Sequence, residues 1–181
     1  MHNGSPGRSV GGALICAALI GCASGGGPAL SELEGRVYRY SELVDTLTAL
    51  EQEHSGRVQV VSLGSTHEGR DILAVRVRGA SGAEPNRPEI LALFAQHSAE
   101  HTMTNLGVDL IRRMASQYGE DLQVSAMLDR FDLWIIPMTN PDGVEYDLSG
   151  AVDPFSWRKN RAPQGDSAFG VDLNRNWSRI G

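Results

Sequence analysis

Cysteine is nearly absent from this 181-residue sequence, and both cysteines lie near the N-terminus. Beyond Cys16 and Cys22 the chain has no thiol, which excludes a disulfide framework and a cysteine nucleophile there. Long hydrophobic runs are missing too. The longest, residues 10–21, is too short to cross a bilayer as a helix.

Positive charge is also scarce. The 16 Lys and Arg residues are outnumbered by 22 Asp and Glu, which gives a formal net charge of −6. Proteins that bind nucleic acids carry clustered Lys and Arg, so we expect no nucleic-acid partner. With 41% hydrophobic residues the chain can bury one core, and a single folded domain is predicted.

The N-terminal segment has the features of an export signal. Arg8 precedes the apolar run, which ends in Leu19-Ile20-Gly21-Cys22. This string resembles a bacterial lipobox, where cleavage precedes a cysteine that then carries lipid. We predict a signal peptide over residues 1–21, a lipid anchor at Cys22 and a Gly/Ser-rich linker over 22–36. An ordinary secretory signal is the alternative. Both readings predict an exported protein, periplasmic or at the cell surface.

The rest of the sequence alternates predicted strands with predicted helices. Apolar residues recur at helical spacing over residues 40–54 and from Met103 to Met114, and a shorter helix is predicted to end near Arg130. Short apolar and β-branched runs predict strands over 58–63, 72–77, 89–95 and 133–138. This alternation indicates an α/β sheet. From residue 139 onward there is little periodicity.

A possible pair of metal ligands follows the predicted strand 89–95. His97 and Glu100 are expected at the carboxyl end of that strand, the edge where open α/β sheets bind ligands. An imidazole and a carboxylate three residues apart can face one metal ion, and zinc accepts nitrogen and oxygen donors. The pattern His-x-x-Glu is weak alone, and it is the position after a strand that favours a metal site.

Three further motifs follow in the sequence. Asn140-Pro141-Asp142-Gly143 predicts only a turn by itself, because all four residue types favour turns. Trp157-Arg158-Lys159-Asn160-Arg161 could be a solvated basic loop or could supply a fixed guanidinium. In the stretch from Asp172 to Trp177, Asn174 and Arg175 offer an amide and a planar guanidinium, which can bind a carboxylate.

In this order the four motifs resemble the first half of a zinc carboxypeptidase of the M14 family. The resemblance implies a mixed α/β sheet with helices on both faces, and residues 37–181 would form only part of such a domain. It also implies a hydrolase that removes the C-terminal residue from extracytoplasmic peptides and needs Zn²⁺. Peptide or protein C-termini would then be its partners.

The same resemblance implies roles for five side chains. His97 and Glu100 would hold zinc. Arg158 would face the scissile carbonyl and stabilise the oxyanion that forms there. Asn174 and Arg175 would bind the terminal carboxylate of the substrate. The Asn140 motif and Asp172 are interpreted as structural.

The sequence departs from the family pattern at two neighbouring positions and in its histidine content. Ala99 and His101 stand where the family often has Arg and Trp. The family also supplies a third zinc ligand and a general base downstream of the last motif, and no histidine follows residue 101. We therefore expect residues 1–181 to be inactive alone, with an exposed apolar edge strand in the sheet.

Three alternatives remain open from the sequence. His97-Ser98-Ala99-Glu100-His101 also fits His-x-x-Glu-His of the inverted zincins, which needs a helix through both histidines. A non-catalytic, membrane-tethered protein could keep the carboxylate clamp without the metal. A cell-wall peptidase of the same fold is the third alternative, which the pair Asn174 and Arg175 weakly disfavours.

Overall fold

The computed structural model describes residues 37–80 and 87–177. The predicted signal peptide, the predicted lipobox and the linker over 22–36 lie outside the described residues. The described part of the chain contains no helix that is long and apolar enough to cross a membrane. In chain order the elements are α1 (Tyr40–Glu53), β1 (Val58–Ser65), β2 (Asp71–Val77), β3 (Glu89–Leu93), α2 (His101–Gln117), α3 (Leu122–Arg130), β4 (Asp132–Ile136), α4 (Pro141–Asp147) and a 3-10 helix (Leu173–Arg175).

The four strands form one mixed sheet in the order β1-β2-β4-β3. β1 pairs with β2 and β2 with β4 in antiparallel fashion, whereas β3 lies parallel to β4. The mixed α/β sheet predicted from the sequence is confirmed. Because β3 and β4 are parallel, the segments that follow them leave the sheet at the same edge.

The four predicted strands and the three predicted helices are all present, with boundaries shifted by a few residues. The fourth helix, α4, was missed, because Asn140-Pro141-Asp142-Gly143 predicted only a turn. In the structure Asn140 caps this helix, since its Oδ1 accepts a hydrogen bond from the Gly143 N–H at 3.1 Å. Pro141 occupies the first turn, where a missing N–H costs nothing.

The core lies between one face of the sheet and helices α1, α2 and α3. Alternate strand residues supply that face, because side chains on a strand point to opposite sides in turn. Helix α1 contributes residues at i, i+4 and i+7. Buried members of this core include Leu43, Leu47, Leu50, Val75, Val77, Val108, Ile111, Leu128, Leu133 and Ile135.

Helix α2 buries most of the face that its apolar residues predict, but one of them, Leu106, points outward and polar residues beside that face are buried. Leu106 is 51% exposed, whereas Thr104 and Asn105 are buried. Gly107 sits so close to Pro137 that an added Cβ would lie 2.9 Å from the Pro137 Cα. The helix therefore packs tightly over the end of β4. The polar residues Thr104 and Asn105, within one turn of Gly107 on the helix, are buried too.

Strand β3 forms one edge of the sheet and carries exposed apolar side chains. Ile90 is 40% exposed and Leu91 is 60% exposed. Among the described residues β3 pairs with β4 on one side and has no partner strand on the other. This agrees with the apolar edge strand expected from the sequence.

Removing side-chain volume at the centre of this core should be costly. Ile135 is fully buried between β2 and β3, so Ile135→Ala should lower the free energy of unfolding by about 2–5 kcal/mol. Leu91→Ala, on the exposed edge, should change it by less than about 0.5 kcal/mol. Urea denaturation followed by far-UV circular dichroism measures both. Equal losses for the two variants would contradict this placement of the core.

Candidate active site

The segment between β3 and α2 carries His97 and Glu100 beyond the carboxyl end of the sheet. The chain turns sharply at Ala95, whose φ of 49° lies in the left-handed region that non-glycine residues rarely adopt. The residue before the turn is fixed by a hydrogen bond, because the Thr139 N–H donates to the Phe94 carbonyl at 3.0 Å. The result is that His97, 7% exposed, lies at the edge where the chain leaves β4.

His97 and Glu100 face each other directly. The Nδ1 atom of His97 lies 2.8 Å from Oε1 of Glu100, and its Nε2 lies 3.2 Å from Oδ1 of Asp172. A carboxylate only accepts, so an Nε2–H that donates to Asp172 leaves the Nδ1 lone pair facing another acceptor. A metal ion between the Nδ1 lone pair and the Glu100 carboxylate would be bound by both acceptors.

The donor set fits zinc. Imidazole nitrogen and carboxylate oxygen are both common zinc ligands, and two donors on one tetrahedral zinc lie about 3.4 Å apart, so a small opening of the pair would suffice. A histidine that ligates a metal usually donates its other N–H to a carboxylate, as His97 can to Asp172. Among residues 37–80 and 87–177 no group of three His, Cys, Asp or Glu is placed to hold a metal ion.

Asp172 connects the predicted site residues. Its Oδ2 accepts a hydrogen bond from Nε of Arg158 at 2.8 Å, and its Oδ1 accepts one from the Asn174 N–H at 3.0 Å, besides the contact with His97. The bond from the Arg158 guanidinium holds the pKa of the Asp172 carboxyl below its usual range. Sequence reasoning gave Asp172 only a scaffold role, so its contact with His97 was missed.

The segment around Arg158 is tied to the segment around His97 by backbone contacts. The buried Ser98 hydroxyl donates to the Trp157 carbonyl at 2.7 Å, and the Ser98 N–H donates to the Arg158 carbonyl at 3.3 Å. Asn140 donates from Nδ2 to the carbonyls of Gln96 and Lys159. The Asn140 side chain therefore supports the site, as the structural interpretation of that motif expects.

The Arg158 side chain leaves its terminal nitrogens available. Only Nε has a hydrogen-bond partner among the described residues, and the side chain is 47% exposed. A guanidinium held at Nε keeps a fixed orientation while its two NH₂ groups point elsewhere. Such a group can donate to an oxygen that arrives from solvent.

Asn174 and Arg175 lie on the 3-10 helix that Asp172 caps. Both residues are exposed. Arg175 donates from Nη1 to the Asn174 carbonyl at 2.9 Å, and the Asn174 Oδ1 accepts from Nε1 of Trp177 at 3.2 Å. The backbone of this pair is thus fixed to the site through Asp172. In the described residues the Arg175 side chain makes no hydrogen bond to His97, Glu100 or Arg158.

Comparison with known proteins agrees with this geometry. Residues 43–180 match the family model described as zinc carboxypeptidase, peptidase M14. The chain belongs to the M14 zinc carboxypeptidase family. The family implies Zn²⁺, and the resemblance inferred from the four motifs is confirmed.

Individual M14 relatives give the same result. The chain is 36% identical over 142 residues to a zinc carboxypeptidase of Saccharothrix mutabilis subsp. capreolus, covering 76% of this chain and 32% of that protein. It is 32% identical over 141 residues to metallocarboxypeptidase A of Trichophyton tonsurans, covering 77% and 32%. The structure matches carboxypeptidase A from Helicoverpa armigera with a TM-score of 0.68 and 29% identity, over 79% of this chain and 34% of that one. The chain spans about a third of the length of these relatives.

The inverted-zincin alternative is wrong for this M14 chain. Helix α2 begins at His101, so His97 does not share a helix face with it. His101 is 2% exposed, and its Nε2 lies 2.6 Å from Oδ2 of Asp147. A histidine engaged in this way is not available as the second ligand of a helical pair.

The Asp147 contact was not expected from the sequence. Asp147 and His101 are 46 positions apart and lie in two different helices, so no local pattern connects them. The one available signal was the departure at His101 from the tryptophan that M14 chains often carry there. A buried histidine in place of an apolar ring requires a polar partner, because an unpaired buried polar group is costly.

Zinc titration of the chain tests the metal site. We expect His97→Ala to abolish binding, and Asp172→Asn to lower the affinity by about 10–100-fold through the lost support of the imidazole. His67→Ala, an exposed histidine, is the matched control and should have no effect. Competition with a chromophoric chelator measures the affinities. Loss of binding in His101→Gln as complete as in His97→Ala would contradict the ligand assignment.

Proposed function

We propose that this chain carries part of the active site of a zinc metallocarboxypeptidase that hydrolyses the C-terminal peptide bond of extracytoplasmic peptides. One observation supports the proposal above the others. The Asp172 carboxylate contacts His97, Arg158 and the backbone of Asn174, so groups suited to a metal, an oxyanion and a terminal carboxylate meet at one point. The names of the relatives, carboxypeptidases with a zinc or metal requirement, agree with this chemistry.

His97 and Glu100 are the proposed zinc ligands. When bound, zinc supplies Lewis-acid chemistry for hydrolysis of the peptide bond. Catalytic zinc sites take three protein ligands and leave one position open, and two donors converge here. The proposal therefore requires one more ligand and a general base besides these residues, and residues 1–181 alone are proposed to bind zinc weakly and to be inactive.

Arg158 is the proposed oxyanion-stabilising group. Its Nε donates to Asp172, and the NH₂ groups of this half-exposed side chain can donate to a carbonyl oxygen that becomes negative as the bond is attacked. The bond to Asp172 fixes the guanidinium before a substrate arrives. A donor that needs no reorganisation stabilises the developing charge more effectively than a mobile one.

Asn174 and Arg175 are the proposed clamp for the terminal carboxylate. The Arg175 guanidinium is exposed and now donates to the neighbouring Asn174 carbonyl, a neutral acceptor. A substrate carboxylate is a stronger acceptor for the planar guanidinium, so it can replace that contact with a bidentate pair. An enzyme that binds the free terminus in this way releases C-terminal residues.

Peptide binding tests the clamp without requiring catalysis. A blocked dipeptide with a free carboxylate should bind the chain more tightly than its C-terminal amide, by about 10–100-fold if a charged bidentate contact is lost in the amide. Arg175→Ala should remove this preference. Arg113→Ala changes an exposed arginine on helix α2 that pairs with Asp109, and it should keep the preference. NMR titration gives both affinities. Equal binding of acid and amide by the unmodified chain would contradict the clamp.

We further propose that the protein is exported and anchored through Cys22. The proposal is based on the apolar run over residues 10–21 followed by Leu19-Ile20-Gly21-Cys22. Expressed in bacteria fed with labelled palmitate, the chain should take up label and sediment with membranes. Cys22→Ser should abolish both, and Cys16→Ser is the matched control that should keep both. Label that persists in Cys22→Ser would exclude this anchor.

A further inference from the structure

We propose that the buried pair His101 and Asp147 positions Arg158, by holding the backbone of residues 155–157 in a strained conformation. In the described residues neither side chain forms a hydrogen bond to His97, Asn174 or Arg175, although His101 directly follows Glu100 in the chain. The pair acts through three backbone N–H groups that immediately precede Arg158 in the chain. The functional meaning of this placement rests on the proposed function, because Arg158 is proposed to stabilise the oxyanion.

The Asp147 carboxylate takes part in four hydrogen bonds, three of them from consecutive backbone N–H groups. Its Oδ1 accepts from the N–H groups of Ser156 at 3.0 Å and Trp157 at 2.7 Å, and its Oδ2 accepts from the Phe155 N–H at 3.0 Å. The carboxylate is 1% exposed, so water does not compete for these bonds. Three consecutive backbone donors bound to one carboxylate fix the local course of the chain.

His101 supplies the fourth hydrogen bond to Asp147. Its Nε2 lies 2.6 Å from Oδ2, and both side chains are essentially inaccessible to solvent. His101 is the first residue of α2, so it is anchored to a long helix whose other end packs in the core. This bond fixes the orientation of the Asp147 carboxylate. Residues 155–157, which donate to that carboxylate, are thereby connected to α2.

The held segment adopts a conformation that it would not take freely. Phe155 has a φ of 63°, in the left-handed region that residues with a side chain rarely adopt. Its side chain is 62% exposed, so burial does not explain the conformation. Its ring lies edge-on to the His101 imidazole, with 5.1 Å between the ring centroids. Both members of the pair therefore contact the strained residue, and strained backbone persists where its surroundings determine it.

The geometry carries this constraint to Arg158. The Trp157 N–H is bound by Asp147, and the Trp157 carbonyl is bound by the Ser98 hydroxyl at 2.7 Å. The peptide units on both sides of Trp157 are thus fixed, and the next residue extends its guanidinium to Asp172. Without Asp147 one of these two attachments is lost, and the bond between Arg158 and Asp172 should weaken.

The test measures the position of Arg158 directly. In ¹⁵N-labelled chain, the Nε–H of Arg158, identified by its disappearance in Arg158→Lys, reports the bond to Asp172 through its rate of exchange with solvent. Asp147→Asn keeps the shape of the side chain but replaces one acceptor oxygen with a donor. We expect exchange at Arg158 to accelerate by about 10-fold, which corresponds to a weakening of its bond to Asp172 by about 1.4 kcal/mol. His101→Leu should act in the same direction.

Two variants separate positioning from a general loss of stability. His101→Gln keeps a donor close to the place of Nε2 and should restore exchange to within about threefold of the unmodified chain. Asp132→Asn alters another buried carboxylate, bound by Arg76 and Arg87 at the opposite end of β4, and is the matched control. It should lower the melting temperature and leave exchange at Arg158 unchanged.

The results that would overturn the proposal are distinct. Exchange at Arg158 that is unaltered in Asp147→Asn excludes positioning, and so does equal acceleration in Asp132→Asn. If Asp147→Asn does not fold, the comparison of His101→Leu with His101→Gln decides, and equal exchange in these two contradicts the proposal. Failure of the proposed function would show instead as equal binding of peptide acid and amide, whatever the exchange at Arg158.

Discussion

The carboxylate of Asp172 is the contact on which the candidate site depends. Its two oxygens connect the His97 imidazole, 75 positions away, and the Arg158 guanidinium, 14 positions away, with the Asn174 N–H of its own 3-10 turn. The hydrogen bond from Arg158 lowers the pKa of this carboxyl, which favours the anionic form that accepts from all three donors. Because one group serves three partners, displacement of any one of them changes the geometry of the other two.

The sheet topology brings these segments together. Strands β3 and β4 run parallel, so the segments that carry His97 and Asn140 leave the sheet at the same edge. Asn140 then bridges the two segments through the carbonyls of Gln96 and Lys159. A rigid sheet thus sets the distance between the loops, and side-chain bonds between the loops set their finer positions.

Local patterns in the sequence predicted the local features correctly. The strands followed from β-branched runs, and His97 and Glu100 face each other because only three positions separate them. Nonlocal features were beyond this reasoning, since the bond from His97 to Asp172 spans 75 positions and the bond from His101 to Asp147 spans 46. Periodicity misled where polar residues are buried, as on helix α2, where Leu106 faces outward and Thr104 inward. Helix α4 was missed because its seven residues begin with a motif that also favours turns.

The departure from the family pattern at His101 has a physical consequence for how this site can vary. A buried apolar ring can be exchanged for another of similar volume at little cost, because packing is its only requirement. A buried His–Asp pair that also holds three backbone N–H groups is less tolerant, since residue 101 must keep a donor for the Asp147 carboxylate and residue 147 must keep acceptors for those N–H groups. Residues 101, 147 and 155–157 therefore form one unit. The loop that precedes Arg158 then restricts residue 101 to side chains that can donate to Asp147, although the two segments are separated by more than a helix and a strand.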